Sequence, residues 1–264
     1  MTPFTIRPGR SWGRYPVARH RRVIRARWRD QPPTLRDVPE PLLASGCGRS
    51  YGDSGLNADG ALIDATGLDR FIQLEDDGLL RCESGVTLAE ILDLAVPRGW
   101  CLPVVPGTRW VTVGGAIAND IHGKNHHRLG TFGAHVARLE LARSSGERLL
   151  CSAESNPDLF AATIGGLGLT GLILWAEIRL QRVAGPGIDE ERIRFEGLDQ
   201  FLAIAAEDAR HEYTVAWVDC LSRGRRLGRG VYLRGGHRAH SAEWRPVAVA
   251  PRVRVPCDAP SALL

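Results

Sequence analysis

The sequence predicts an α+β chain of two units, and three observations carry that prediction. Short apolar runs of strand length alternate with turn residues: Ala61–Asp64, 70–75 and Leu79–Glu83 are separated by Thr66-Gly67 and by Asp76-Asp77-Gly78. Helix signals are interleaved with them, one where Thr87 is followed three residues later by Glu90 and a second at Asn156-Pro157. A Gly/Pro linker at 184–187 then separates this pattern from a further strand, helix, strand, strand series. The first unit is placed at 1–184, with a basic arm over 1–31, and the second at 185–264.

After the prolines at 32, 33, 39 and 41, a strand over 41–44 runs into the glycine-rich loop GCGRSYGDSGLN, residues 46–57. A helix from Thr87 carries apolar Leu88, Ile91, Leu92 and Ala95 on one face and stops at Pro97 and Gly99. A buried strand over 101–105 leads into the central segment. Residues 136–142 alternate and pair as a hairpin with 147–151 across Ser145-Gly146; a helix follows from Asn156, and a long strand over 172–183 closes the unit. In the second unit strands are expected at 188–195, 213–219 and 229–234, a helix at 198–210, and an extended piece at 248–255.

Composition is ordinary for a globular chain, with 44% hydrophobic and 24% charged among 264 residues. Six cysteines stand far apart without a C-x-x-C pair, which favours packed, reduced thiols and no metal site. The net charge of +4 is concentrated at the start, where nine arginines lie between Arg7 and Arg29. Such an arm reads either as a solvated, mobile terminus or as a surface for anionic partners: a membrane, a phosphorylated substrate or nucleic acid. The solvated, partly mobile terminus is the leading reading and peripheral membrane contact the alternative; no nucleic acid is expected, and the chain is expected to be cytoplasmic, since neither a signal peptide nor an apolar run of spanning length is present.

Two segments carry the chemistry. Residues 103–133, PVVPGTRWVTVGGAIANDIHGKNHHRLGTFG, combine glycines at 107, 114, 115, 123, 130 and 133 with His122, Lys124, His126 and His127. Gly114-Gly115 lets a backbone come close to a ligand and offers N–H groups for an anion, as a nest or helix N-terminus. A dinucleotide pyrophosphate is the expected ligand. The loop at 46–57 adds short donors, Ser50, Tyr51, Asp53, Ser54 and Asn57, suited to phosphate or a ribityl chain, although a tight loop between strands is glycine-rich for its own reasons. His122 also reads as an ordinary loop histidine, Lys124 as a surface lysine and Trp217 as strand packing.

These segments, with DLFAATIGGLGLTGLI at 158–173 and YTVAWVDC at 213–220, resemble the flavin-binding domain of the vanillyl-alcohol-oxidase superfamily, and within it the decaprenylphosphoryl-β-D-ribose 2-oxidase group. The resemblance implies a PCMH-type FAD-binding domain of two α+β subdomains, followed by an incomplete α+β substrate domain. It places FAD along Gly48, Arg49, Ser50, Tyr51, Gly52, Asp53, Ser54 and Gly55, along Gly107, Thr108, Thr112, Val113, Gly114 and Gly115, and along Asn119, Asp120, Ile121, His122 and Ile173. Relatives with covalent flavin carry a histidine where this chain has Arg49, so the resemblance implies non-covalent FAD. It places His122 and Lys124 at the reacting centre, and Trp217 and Asn125 near the substrate.

The implied activity is oxidation of a secondary hydroxyl of a sugar, a polyprenyl-phosphate-linked pentose, by hydride transfer to flavin N5. His122 suits removal of the hydroxyl proton and Lys124 suits the developing alkoxide or a phosphate. An alditol or aldonolactone oxidase is a third reading. The family's chain is longer, so the sequence is also compatible with an inactive remnant or with one part of a split enzyme completed by another chain, and a partner reductase is a further candidate.

Overall fold

The computed structural model describes residues 9–208 and 210–238. Four strand assemblies and five α-helices make up the described part. The first assembly is a small parallel sheet in the order β1-β3-β2, formed by Arg22–Arg25 (β1), Leu42–Ser45 (β2) and Ala61–Asp64 (β3). The second is an antiparallel five-stranded sheet in the order β4-β5-β9-β7-β8. It comprises Phe71–Leu74 (β4), Leu79–Glu83 (β5), Val136–Ala142 (β7), Arg148–Ser152 (β8) and Leu172–Arg179 (β9). Among the described residues, Trp100–Cys101 (β6) pairs only with Gln181–Arg182 (β10). The third sheet joins Ile188–Phe195 (β11), Tyr213–Val218 (β12) and Gly230–His237 (β13), with β13 in the middle.

Helix α1 (Leu88–Ala95) begins with the expected capping box: Thr87 Oγ1 accepts the Glu90 N–H at 3.3 Å, while the Glu90 carboxylate accepts the Thr87 N–H at 2.8 Å. Its apolar face packs with α2 (Val113–Ala118) against β5, β7 and β9, around Leu80, Ile91, Ile117, Phe132 and Leu139. A second cluster, including Ala26, Leu35, Ile63, Leu68 and Leu174, joins the parallel sheet to the antiparallel one. The remaining helices are α3 (His126–Leu129), α4 (Pro157–Thr163) and α5 (Leu198–Glu207).

Several expectations are corrected. The described part of the basic arm is not free, because β1 within it adds a strand to the parallel sheet and Ala26 N–H bonds to Asp64 O at 3.0 Å. Its alternating arginines hid that strand from a hydropathy reading. The strand expected over 101–105 shrinks to the two residues of β6. Asn156 adopts φ +51° and makes no side-chain cap to α4. Of the cysteines expected to be packed, Cys82, Cys101 and Cys151 are buried and Cys47 partly so, but Cys220 is exposed. Cys257, the extended piece at 248–255 and the end of the second unit lie outside the described residues. Among the described residues, no helix is long and apolar enough to cross a membrane.

On the outer face of the five-stranded sheet, Glu177 is 3% exposed and accepts from Arg138 Nε at 2.5 Å and from Arg81 Nε at 2.6 Å. Burial raises the Glu177 carboxyl, but the hydrogen bonds from Arg138 and Arg81 outweigh it, and the net shift is below its ordinary 4.5. A carboxyl with a depressed folded-state pKa stabilises the fold above its unfolded value and loses that contribution as pH falls through the folded one. Stability is therefore expected to drop as pH falls below about 4.5. In a pH series of melting temperatures, Glu177→Gln should be less stable at neutral pH and flatter on the acid side.

Candidate functional site

A cleft of about 640 Å³ opens at the C-terminal ends of β2 and β3, where the loop after β2 meets the start of α2. The two segments approach closely enough to require glycine: a Cβ at Gly46 would stand 2.4 Å from Thr112 Oγ1. That hydroxyl is already committed to capping α2, accepting the Gly115 N–H at 3.1 Å. The loop then turns through Gly48, Gly52 and Gly55, at φ +63°, +59° and +81°.

Most of the expected ligand-binding residues converge here. Gly48, Arg49, Ser50, Tyr51, Ser54 and Gly55 line one side, and Thr112, Gly114, Gly115, Asn119 and Ile121 another, with Gly107, Thr108 and Ile173 completing the wall. Gly52 and Asp53 are exposed at the loop's apex and do not line it. Val113 is fully buried and faces the core instead. Asp120, at φ +40°, turns away, and its Oδ1 accepts the Gly133 N–H at 2.8 Å.

The expectation of an anion nest at Gly114-Gly115 is overturned by the hydrogen bonds. Val113 N–H donates to Val86 O at 2.8 Å, Gly114 N–H to Ser84 O at 2.7 Å, and Ala116 N–H to Thr112 O at 2.8 Å. With Gly115 bound to Thr112 Oγ1, the first turn of α2 has no spare donor. Gly114 instead permits close packing, since a Cβ there would lie 3.1 Å from Ser84 Cβ. The donors left for a ligand are on the other loop: among the described residues, the amides of Gly48 and Ser50 have no carbonyl partner. Ser84 Oγ is buried on the cleft wall, also without a partner among the described residues. A buried hydroxyl left unmatched is costly unless a ligand satisfies it.

The residues assigned to chemistry are less well gathered. His122 and Lys124 are exposed and lie just beyond Ile121, outside the cleft lining. A bridge to Thr131 fixes the His122 backbone, and its ring stands edge-on to His126 at 5.5 Å. Lys124 O accepts the Thr214 N–H at 2.9 Å, tying this loop to β12. Asn125 is corrected from substrate contact to structural support: it is 1% exposed and its Nδ2 donates to Pro103 O at 2.7 Å. Trp217 is 77% exposed on β12 and lines a separate groove with Arg194, Leu221 and Arg229, not the cleft.

Sequence reasoning missed Arg10, Trp12, Ser84, Gly168 and Gly171, all of which line the cleft. The available signals were the Ser84-Gly85 pair directly after a strand, the glycines of IGGLGLTG, and the Trp12-Gly13-Arg14 start, which belongs to the family resemblance without pointing to the cleft; nothing marked Arg10. Cys47 is also on the wall, where burial pushes its thiol up despite the nearby Arg49, so it stays protonated and a poor nucleophile.

Residues 35–152 match the family described as FAD binding domain. The chain carries an FAD-binding domain. It is of the PCMH type, an α+β fold, and the residues of the cleft fit the dinucleotide: its volume is that of a cofactor site, a Cβ at Gly55 or Gly107 would meet nothing within 4 Å, and the buried Ser84 Oγ on its wall has no partner among the described residues. The chain is 42% identical over 198 residues to decaprenylphosphoryl-beta-D-ribose oxidase of Mycolicibacterium smegmatis, covering 74% of this chain and 43% of that one. An uncharacterised protein of Streptomyces coelicolor is 40% identical over 185 residues, covering 68% and 50%. Human Delta(24)-sterol reductase is 32% identical over 129 residues, covering 49% and 24%. The chain thus spans about half the length, or less, of these relatives.

Proposed function

We propose that this chain is the flavin-binding part of an FAD-dependent oxidoreductase that oxidises a secondary hydroxyl of a sugar, with a polyprenyl-phosphate-linked pentose as the substrate class. The observation that carries the reading is the convergence of the 46–55 loop, Gly107 and α2 on one cleft. The 42% identity to a decaprenylphosphoryl-ribose oxidase supports the substrate class. Bound in the cleft, FAD would supply the two-electron acceptor that the side chains of the protein lack. The amides of Gly48 and Ser50, Ser84 Oγ and the Ser50 hydroxyl would hold its polar parts. The attachment would be non-covalent, since the 46–57 loop contains no histidine and Cys47 is a protonated thiol.

His122 and Lys124 would act from the rim. His122 Nδ1 lies 3.4 Å from Gly123 O, which favours the Nδ1–H tautomer and leaves Nε2 able to accept the hydroxyl proton. Lys124 would stabilise the alkoxide or a substrate phosphate.

The purified chain should show flavin absorbance that is released on denaturation and bleached anaerobically by a polyprenyl-phosphoryl pentose. A colourless chain that does not take up added FAD would refute the reading. Gly107→Val sharpens the test, because its side chain would project into open cleft without striking the protein. FAD affinity should fall at least about tenfold, roughly 1.4 kcal/mol, while the melting temperature of the FAD-free chain stays unchanged.

A further inference from the structure

The arginines of the arm divide into two groups. Arg22, Arg25 and Arg29 are ion-paired with Glu40, Asp64 and Glu83. Arg10, Arg14, Arg19, Arg21 and Arg27 have no carboxylate within 4.0 Å among the described residues. All five precede Asp30, the first acidic residue of the chain. Amid them, residues 14–17 form a projecting tip on which Tyr15 is 80% and Val17 86% exposed, with Trp12 47% exposed at its base.

The tip is held out from the body. Trp12 N–H donates to Ser50 O at 3.0 Å on one side, and on the other Asp59 N–H donates to Arg19 O and Arg21 N–H to Gly60 O, both at 2.9 Å. Within it, Arg14 N–H donates to Ser11 O and Ser11 Oγ to Tyr15 O, both at 3.1 Å. Tyr15, Pro16 and Val17 are consecutive and all exposed, so they form a contiguous apolar tip rather than scattered single residues, and the anchored loop presents it to a partner.

We propose that residues 12–21 dock on the surface of an anionic lipid bilayer. Tyr15, Pro16 and Val17 would enter the headgroup region, where aromatic rings with a polar tip are favoured. Arg14, Arg19 and Arg21 would meet the lipid phosphates. Two exposed acids on the adjoining loop, Asp53 and Asp59, reduce the positive field but do not cancel five unpaired arginines. A nucleic acid would use the arginines and leave the apolar tip idle, which is why the bilayer fits better. Trp12 and Arg10 also line the cleft, so docking would set its mouth at the membrane. The inference does not depend on flavin or on the reaction.

The test is flotation of the full chain with vesicles of phosphatidylcholine alone or mixed with phosphatidylglycerol. The chain should rise only with the mixed vesicles and be released as salt is raised. Neutralising Arg14, Arg19 and Arg21 together with glutamine should weaken partitioning about a hundredfold, at roughly fivefold for each arginine. Tyr15→Ser with Val17→Ser should weaken it while leaving the salt dependence intact, with near-UV circular dichroism confirming the fold. The salt titration of the unmodified chain needs no variant and stands if one misfolds. Failure to float with phosphatidylglycerol would overturn the proposal. So would unaltered flotation of the tip variant, which would show that Tyr15 and Val17 do not enter the bilayer and that charge alone holds the chain to it.

Discussion

Glu83→Ala should lower the melting temperature by roughly 6–12 °C, because it removes the centre of a buried ion cluster worth about 3 kcal/mol when broken from one side. Glu83 ends β5 and is 0% exposed. Its carboxylate accepts from Arg29 Nη1 at 3.2 Å, from Arg70 Nη1 at 3.1 Å and from the Arg70 N–H at 3.0 Å. Arg70 also donates to Arg27 O at 2.8 Å and stacks over Trp28, its guanidinium 3.9 Å from the ring centre. Four groups from the arm and the loop before β4 thus depend on one carboxylate. Arg29 and Arg70 are partly exposed, at 31% and 37% of their side chains, so they can turn to water when it is lost. That keeps the expected cost at the lower end of the range for a broken buried pair. Glu83→Gln, which retains an acceptor for the Arg70 amide, should lose less. If thermal melts show both variants within 1 °C or so of the parent, the cluster is not what holds the arm.

Because Ser84 follows directly and its carbonyl accepts the Gly114 N–H, the same variant should loosen the cleft wall. The coupling illustrates what the sequence revealed and what it concealed. The glycine-rich loop at 46–57 was legible because glycines at positive φ and short polar side chains leave a local signature, and α1 because a capping box is written in four residues. The parallel pairing of β1 with β3 was not legible: Arg-Val-Ile-Arg looks like part of a charged tail until a neighbouring strand supplies its hydrogen bonds. The Gly114-Gly115 pair lines the cleft, but its amides are spent within the protein, and the sequence could not show this because a close approach to backbone and a close approach to an anion need the same residue. Only the acceptors, Ser84 O and Val86 O, tell them apart. Trp217 and Asn125 show the same limit for side chains, since a strand tryptophan or a loop asparagine carries no mark of the direction in which it points.

His122→Ala is the second large effect expected, a fall of about 100- to 10,000-fold in the rate at which substrate bleaches the bound flavin, with the flavin spectrum and affinity unchanged. The size follows from the role proposed for Nε2, because general-base transfer supplies that much and water is a poor replacement. The separation from cofactor binding follows from position: Ile121 is on the cleft wall and His122 is the next residue, on the rim. Its backbone is set by the bridge to Thr131, so alanine should not disturb the loop. His126→Ala provides the discriminating control, since that ring touches His122 edge-on and should alter the rate only by reorienting its neighbour. If His122→Ala changes the rate less than about threefold while Lys124→Ala abolishes it, then the proton leaves by way of the lysine and the histidine is only a support for the rim.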